Sequence, residues 1–380
     1  MAAISRVGSI KKFFAALPDP RVRRRTDHRL IDIIAIALCG VIANCDGWTD
    51  IIDFAQSHLA WFKRFLSLPN GVPSHDTFER VFAKLDPAAF SRCCMAWLRE
   101  VSDLVGLGHL AIDGKTLRGS ASADGKPLHL VSAWATQAQL SLGEVAVDGK
   151  SNEIKAIPEL LKLLDLKGAL VTIDAIGCQK TIAKQIVDKG GDYLLTVKAN
   201  QKRLLNDIQA TISKAVDDKL PQDQVATVTT KAKGHGRVEQ RTYVVITNLE
   251  AIRDRKHWAG LTTVGMCLRE RTVNGTTTDE THYFIGSGRL GPRKVAKAMR
   301  SHWGIENNLH WHLDVHFGED KSRIQERNAA RNFASMRKLA LCVLKRHPAE
   351  KSIPRKRKLA AQNPEFLAEI ITGAAKTEEV

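Results

Sequence analysis

Two carboxylates in this chain each close a short apolar run: Asp113 in His-Leu-Ala-Ile-Asp113-Gly-Lys and Asp174 in Ala-Leu-Val-Thr-Ile-Asp174-Ala-Ile-Gly. A run of strand character ending on Asp, just before a small residue, pushes the carboxylate out of the C-terminal edge of a sheet, where ligands approach. A third acid belongs to the stretch Arg300-Ser-His-Trp-Gly-Ile-Glu306-Asn-Asn-Leu-His-Trp-His-Leu-Asp314-Val-His-Phe-Gly-Glu-Asp320. It is read as Glu306, with Asp314, Glu319 and Asp320 as alternatives; Asp314 lies two helical turns beyond Glu306, on a shared face but farther along it. Three carboxylates on three separate elements make a hard, oxygen-rich pocket suited to Mg2+ or Mn2+ and unsuited to zinc. Two such ions, about 3.5–4 Å apart, serve phosphoryl transfer by clamping the attacking and leaving oxygens. Asp113 is the candidate bridge between them, with Asp174 on one ion and Glu306 on the other. His302, Glu306 and His310 follow one another at helical spacing, but without the His-Glu-x-x-His order or cysteine partners of a zinc site.

The elements that must position these acids follow from periodicity. Runs at 109–113, 128–136 and 140–147 are short, apolar and separated by turn residues, which predicts an antiparallel meander. A helix capped by Ser151 and Asn152 comes next, then the strand closing on Asp174, a helix over about 178–188 and a strand over 192–197. Three antiparallel strands followed by helix, strand, helix, strand is the order of a ribonuclease H-like mixed sheet, an α/β fold. Val295, Met299 and Trp303, with Leu309 and Leu313, recur at helical spacing, so Glu306 is expected to project from a helix packed on that sheet. The stretch 222–288, rich in Thr, Val, Arg and Gly with near alternation, reads as a β-rich insertion within a catalytic domain spanning 107–346. Residues 1–106 read as an α-helical, basic N-terminal domain, with a buried helix over 30–42 and a capped start at Ser74-His-Asp76-Thr-Phe-Glu79. Any of its helices could dock on DNA, and the sequence does not choose among them. Residues 347–380 read as a basic, mobile tail.

The 57 Lys and Arg against 41 Asp and Glu leave a net charge of +16, which favours a polyanionic partner, double-stranded DNA above all. Seven cysteines without a C-x-x-C pair suit a reducing compartment. The first residues lack the apolar core of a signal peptide, and the most apolar run, 31–43, is shorter than the roughly 20 residues a bilayer requires. A cytoplasmic protein with no membrane partner is therefore expected. Without a Walker A pattern, no nucleotide cofactor is expected either.

Seven blocks carry a resemblance. They are Leu17-Pro-Asp-Pro-Arg, Ser74-His-Asp-Thr-Phe, Ala111-Ile-Asp-Gly-Lys-Thr-Leu-Arg-Gly-Ser120, Ser151-Asn-Glu-Ile, Asp174-Ala-Ile-Gly-Cys-Gln, His235-Gly-Arg-Val-Glu, and His302-Trp-Gly-Ile-Glu-Asn with Leu309-His-Trp-His-Leu-Asp-Val. In this order, from about 17 to about 346, the chain resembles DDE-class insertion-sequence transposases of the H-repeat-associated (ISAs-type) group. The resemblance implies Asp113, Asp174 and Glu306 as a catalytic triad holding two Mg2+ or Mn2+ ions. It implies nicking at the element's ends, then attack of the freed 3'-hydroxyl on target DNA, with no covalent protein–DNA intermediate. A homodimer is expected in the DNA complex, since two ends must be cut and joined; so is a bacterial cytoplasm, at the nucleoid when DNA is bound.

One departure from the wider class stands out. Its Tyr-x-x-Arg-x-x-x-Glu pattern, with a following Lys, falls here on Met299, His302, Glu306 and Leu313, which leaves His302 or nearby Arg300 to supply a cation. DNA contacts are expected from Lys115, Arg118, Arg300, His302 and Trp303, and from a phosphate clamp of His235, Arg237 and Arg241 on the insertion. Trp303 and Trp311 have the chemistry to stack on an extruded base, although aromatic residues on such a helix are expected in the core. The alternative reading is a transposase-derived DNA-binding protein that no longer cuts; a third is a metal nuclease without strand transfer.

Overall fold

The structure, a computed structural model, describes residues 9–22, 26–102, 108–121, 127–147, 152–217, 220–234 and 236–372. The cap expected from Ser151 lies outside them, as does His235. Among the described residues nine strands form one sheet: β1 (His109–Leu117), β2 (Leu128–Ala135), β3 (Leu140–Val147), β4 (Leu170–Ile173), β5 (Asp192–Val197), β6 (Val225–Gly234), β7 (Arg237–Ile246), β8 (Leu261–Val273) and β9 (Thr276–Ser287). Their order is β3-β2-β1-β4-β5-β9-β8-β7-β6. The first five strands have the ribonuclease H-like arrangement: β1 pairs antiparallel with β2 and parallel with β4, and β4 parallel with β5. The remaining four extend the same sheet, because β9 pairs antiparallel with β5 from Leu194↔Gly286 to Val197↔Tyr283.

The α-helices longer than one turn are α1 (Ser9–Phe14), α2 (Leu30–Ile42), α3 (Trp48–Ser57), α4 (His75–Lys84), α5 (Pro87–Ser102), α6 (Glu153–Lys162), α7 (Lys180–Asp188), α8 (Lys202–Val216), α9 (Pro292–His302), α10 (Trp311–His316), α11 (Arg327–Arg346), α12 (Ile353–Gln362) and α13 (Pro364–Thr372). Helix α11 is buried along nearly its whole length and packs on α2, α4, α5 and β3. One apolar core therefore runs from Ile33 and Phe82 through Leu341 to Leu110 and Ile112. Among the described residues no helix is long and apolar enough to cross a membrane.

Two expectations are corrected. As far as Thr372, the tail expected to be mobile is folded into α12 and α13, with Lys356, Arg357, Leu367 and Ile371 buried. Its cations found acceptors that a count of charges cannot reveal. Lys356 Nζ donates to Leu344 O (2.9 Å) and His347 O (2.7 Å), capping the C-terminal carbonyls of α11. Arg357 donates to Val41 O at 3.0 Å and to His316 O. The helix expected through Glu306 is present but not regular: α9 ends at His302, Trp303 makes a turn, and the helical segment that resumes at Gly304 carries a π-helical turn, Glu306–His310, before α10.

The turn from β9 into α9, Gly286-Ser-Gly288-Arg-Leu-Gly291, has dinucleotide-fingerprint spacing but leaves an antiparallel strand. Packing accounts for its first two glycines. A Cβ at Gly286 would lie 2.4 Å from Leu290 Cδ1, and Gly288 adopts φ +68° directly against the Asp192 carboxylate.

Candidate active site

The parallel ladder between β1 and β4 ends on the pair Ile112↔Ile173, so Asp113 and Asp174 are the next residues on two adjacent strands. Burial changes at the same place: Leu110, Ala111 and Ile112 are sealed, and β1 opens from Asp113 onward. Each carboxylate is oriented by local backbone. Asp113 Oδ1 accepts from Gly114 N at 2.9 Å, and Asp174 caps the following turn through Ile176 N at 3.1 Å. Glu306, exposed at the start of the π-helical turn, joins them in lining a cleft of about 570 Å³.

The cleft is short of positive charge at its centre. Burial pushes the Asp113 carboxyl up to about 7, and the charges of Asp174, Glu306 and Glu153 push the same way against its bond to Gly114. A divalent cation would reverse that balance, and an all-carboxylate oxygen set suits Mg2+ or Mn2+. Among the described residues no three His, Cys, Asp or Glu side chains already form a metal cage. Mg2+ does not require one, since it keeps several waters and takes one or two carboxylates together with substrate phosphates.

Behind Asp113 the motif residues form a fitted support. His129 Nε2 meets Glu153 Oε1 at 2.7 Å and His129 Nδ1 meets Thr116 Oγ1 at 2.9 Å, both in nearly closed surroundings. A Cβ at Gly114 would lie 2.4 Å from that Nε2 and 2.5 Å from that Oε1, so only glycine leaves room for the pair. Lys115 Nζ donates to Asp314 (2.6 Å) and Glu319 (2.7 Å), with Asp320 at 3.5 Å. The three acids weighed as alternatives to Glu306 thus gather around Lys115, whose own charge is balanced rather than open to DNA. A Cβ at Gly119 would lie 2.2 Å from Ser322 O, so this glycine admits residues 320–322 against the turn Arg118–Ser120 that follows β1. Arg118 remains exposed beside Asp320.

His302 is corrected as a source of charge. Its Nδ1 meets Thr172 Oγ1 at 2.9 Å, and the same hydroxyl meets His109 Nε2 at 2.9 Å. Desolvation pushes both imidazoles down to about 4, so His302 is neutral at ordinary pH. Positive charge comes instead from the insertion. A second cleft of about 500 Å³, sharing His282, Trp303 and Glu306 with the first, is lined by Arg237, Arg241, Arg269 and Arg271 of the insertion and by Arg300 of α9, with Glu239 and Glu280 pairing Arg241 and Arg269. The Arg241 and Arg269 guanidinium carbons stand 5.2 and 5.7 Å from the Trp303 ring centroid, which accounts for Trp303 without a stacked base.

Sequence reasoning missed Arg269 and Arg271, yet a signal existed. They alternate on β8 and pair in register with Arg241 and Glu239 of β7, so one face collects the guanidinium groups. Lys198, exposed on the rim of the first cleft, was missed too. Trp311, expected in the core, is 49% exposed.

The family model described as Transposase DDE domain matches residues 106–343, and one described as DDE_Tnp_1-associated matches residues 11–98. "H repeat-associated putative transposase YhhI" of Escherichia coli K12 is 36% identical over 378 residues, 96% of this chain and 98% of the relative. "Putative transposase YncI" of Escherichia coli O157:H7 is 37% identical over 377 residues, 97% of this chain and 96% of the relative. The "Uncharacterized protein in dhlA 3'region" of Xanthobacter autotrophicus is 41% identical over 289 residues, 74% of this chain and 95% of the relative. Among solved structures, a piggyBac transposase synaptic complex with hairpin DNA aligns at TM-score 0.40 and 12% identity, covering 100% of this chain and 80% of that one. The fold assignment rests on strand order and not on that alignment.

Proposed function

The chain belongs to the transposase family defined by this DDE domain, and from that membership we propose that it cuts DNA at the ends of an insertion sequence and joins the freed ends to target DNA. Asp113, Asp174 and Glu306 are the catalytic residues of this reading. The observation that carries it is their convergence, from β1, the end of β4 and the π-helical turn, on one cleft where burial first, and neighbouring carboxylates second, suppress ionisation of Asp113. Asp113 would be shared by two ions, with Asp174 on one and Glu306 on the other. When bound, Mg2+ or Mn2+ supplies charge stabilisation to the phosphoryl group in transfer.

The chain's own residues bind and orient. The arginine-lined cleft of the insertion receives the phosphodiester backbone and leads it past Trp303 to Glu306. Lys198 and Arg118 stand on the rim of the acidic cleft, where phosphates on either side of the scissile bond would lie. Lys115 holds the segment after Glu306 against β1. A homodimer on DNA, acting in the bacterial cytoplasm, follows from the need to cut and join two ends together.

The test is cleavage of a labelled duplex carrying the element's end, in Mg2+, Mn2+ or Ca2+, by wild type and Glu306→Gln. Nicking that needs Mg2+ or Mn2+ and disappears in the variant, with binding retained, is the expected result. Tight binding with no cutting in any metal would move the assignment to a DNA-binding relative that has lost catalysis.

A further inference from the structure

The segment from Glu306 to His316 has two working faces. Glu306, His310 and Asp314 turn toward the acidic cleft, while Trp311, His312 and His316 line a separate recess of about 690 Å³. The two hollows are therefore divided by a single helix, roughly 10–12 Å across with its side chains.

Trp311 dominates this recess. Its ring is half exposed yet held, because His316 and His312 meet it edge-on with centroids at 4.8 and 5.1 Å. A large apolar ring kept both fixed and open is a stacking platform that loses little conformational freedom when used. Among the described residues the charged side chains lining the recess are all cationic, with no carboxylate. Lys345 is engaged by Gln139 Oε1 at 2.9 Å, whereas Arg346 and Lys351 are exposed and make no ion pair with a described residue.

We infer that this recess takes an unpaired base of a DNA strand, stacked on Trp311, with the flanking phosphates on Arg346 and Lys351. The inference rests on reading the chain as a DNA-processing enzyme and adds a site that discriminates among DNA forms. Inside a duplex every base face is covered by its neighbours, so away from the outer faces of the two end pairs an indole can stack only on a base that has left the helix, as at a frayed end, a gap or an overhang. Stacking accepts any base, and the two cations contribute phosphate attraction irrespective of sequence.

The experiment uses the full chain in EDTA, so that nothing is cut, with two DNAs: a blunt duplex and the same duplex bearing a single-stranded overhang that contains 2-aminopurine. Wild type should bind the overhang DNA more tightly and quench the 2-aminopurine. Trp311→Ala should lose the quenching and about 5- to 150-fold in affinity for the overhang DNA, with a clearly smaller loss on the blunt duplex, which offers only the faces of its end pairs. Trp311→Phe should retain part of both effects. Arg346→Glu with Lys351→Glu, both on exposed positions, should reduce overhang binding more than blunt binding. Equal losses on both DNAs, or no loss on either, would overturn the inference. So would a Trp311→Ala protein that binds both DNAs normally but changes its oligomeric state, which would assign the recess to a second copy of the chain. A wild type that bound neither DNA would remove the DNA-processing reading itself, and this inference with it.

Discussion

The Lys115 ammonium donates to the Asp314 carboxylate across 2.6 Å of space and 199 residues of chain. Two residues before Lys115 stands Asp113, and eight residues before Asp314 stands Glu306. This one contact therefore fixes the spacing between the first and third acids of the proposed triad. With its side chain only 10% exposed, Lys115 is a positioning residue. Lys115→Met should strand Asp314 and the buried Glu319 without a counter-charge, lowering stability by about 3–5 kcal/mol in urea unfolding. Lys115→Arg should restore part of the stability and part of the cleavage rate. A fully stable Lys115→Met protein would show that the carboxylates reorganise without it.

Asp113 should weaken the metal-free fold at neutral pH. Its folded-state carboxyl is raised to about 7 from 3.8, so its contribution to stability is fully present below pH 3.8 and lost as pH rises through 7. Asp113→Asn mimics the uncharged form. The variant should be more stable than wild type by on the order of 2 kcal/mol at pH 8, with the advantage shrinking toward pH 4. Adding Mg2+ or Mn2+ should raise the Tm of wild type and leave the variant unmoved. Thermal scans at both pH values, with and without metal, check both statements.

Gly114→Ala should act through the groups behind the site. The new methyl would enter the space between His129 and Glu153, both nearly fully buried, so neither side chain can swing aside into solvent. A loss of about 1–3 kcal/mol is expected from the overpacking. Glu153 would move against Asp113, and cleavage should fall further than the lost stability explains. Unfolding curves and single-turnover rates on the same protein separate the two effects.

The arginine face of the insertion should set the salt dependence of DNA binding. Arg237 and Arg271 line the second cleft from different strands. Replacing either with Gln should weaken binding to unrelated sequences about equally and reduce the slope of log K against log salt by about 1. A change in sequence preference with an unaltered slope would mean that they read bases and not phosphates.

The order of the core strands and the strand-end positions of Asp113 and Asp174 were legible because both depend on short-range pattern: apolar runs closed by Asp and a small residue. What lay hidden depends on partners distant in sequence. Lys356 and Arg357 read as solvated charges until the carbonyls they cap come into view. His302 stood beside Arg300 as a candidate cation because its hydrogen-bond partner, Thr172, lies 130 residues away. Trp311 read as core because helical spacing alone does not say which side of a segment another element covers, and the π-helical turn before it shifts the phase of that spacing. Arg269 and Arg271 needed the β7–β8 register, which composition does not carry.

The register that seats Asp113 beside Asp174 also fixes an order of assembly in time. Strands β1 and β4 can pair once the chain is made through Ile173, but Glu306 is synthesised only after the whole insertion. At about 5–20 residues per second, that delay measured from Asp113 lasts roughly 10–40 s on the ribosome. Helix α11, which joins the N-terminal helices to the sheet, emerges later still. A nascent chain thus carries two of its three acids, and lacks the third, for about a third of its synthesis. A product ended early by a frameshift, before Glu306, would be released without the third acid of the proposed triad.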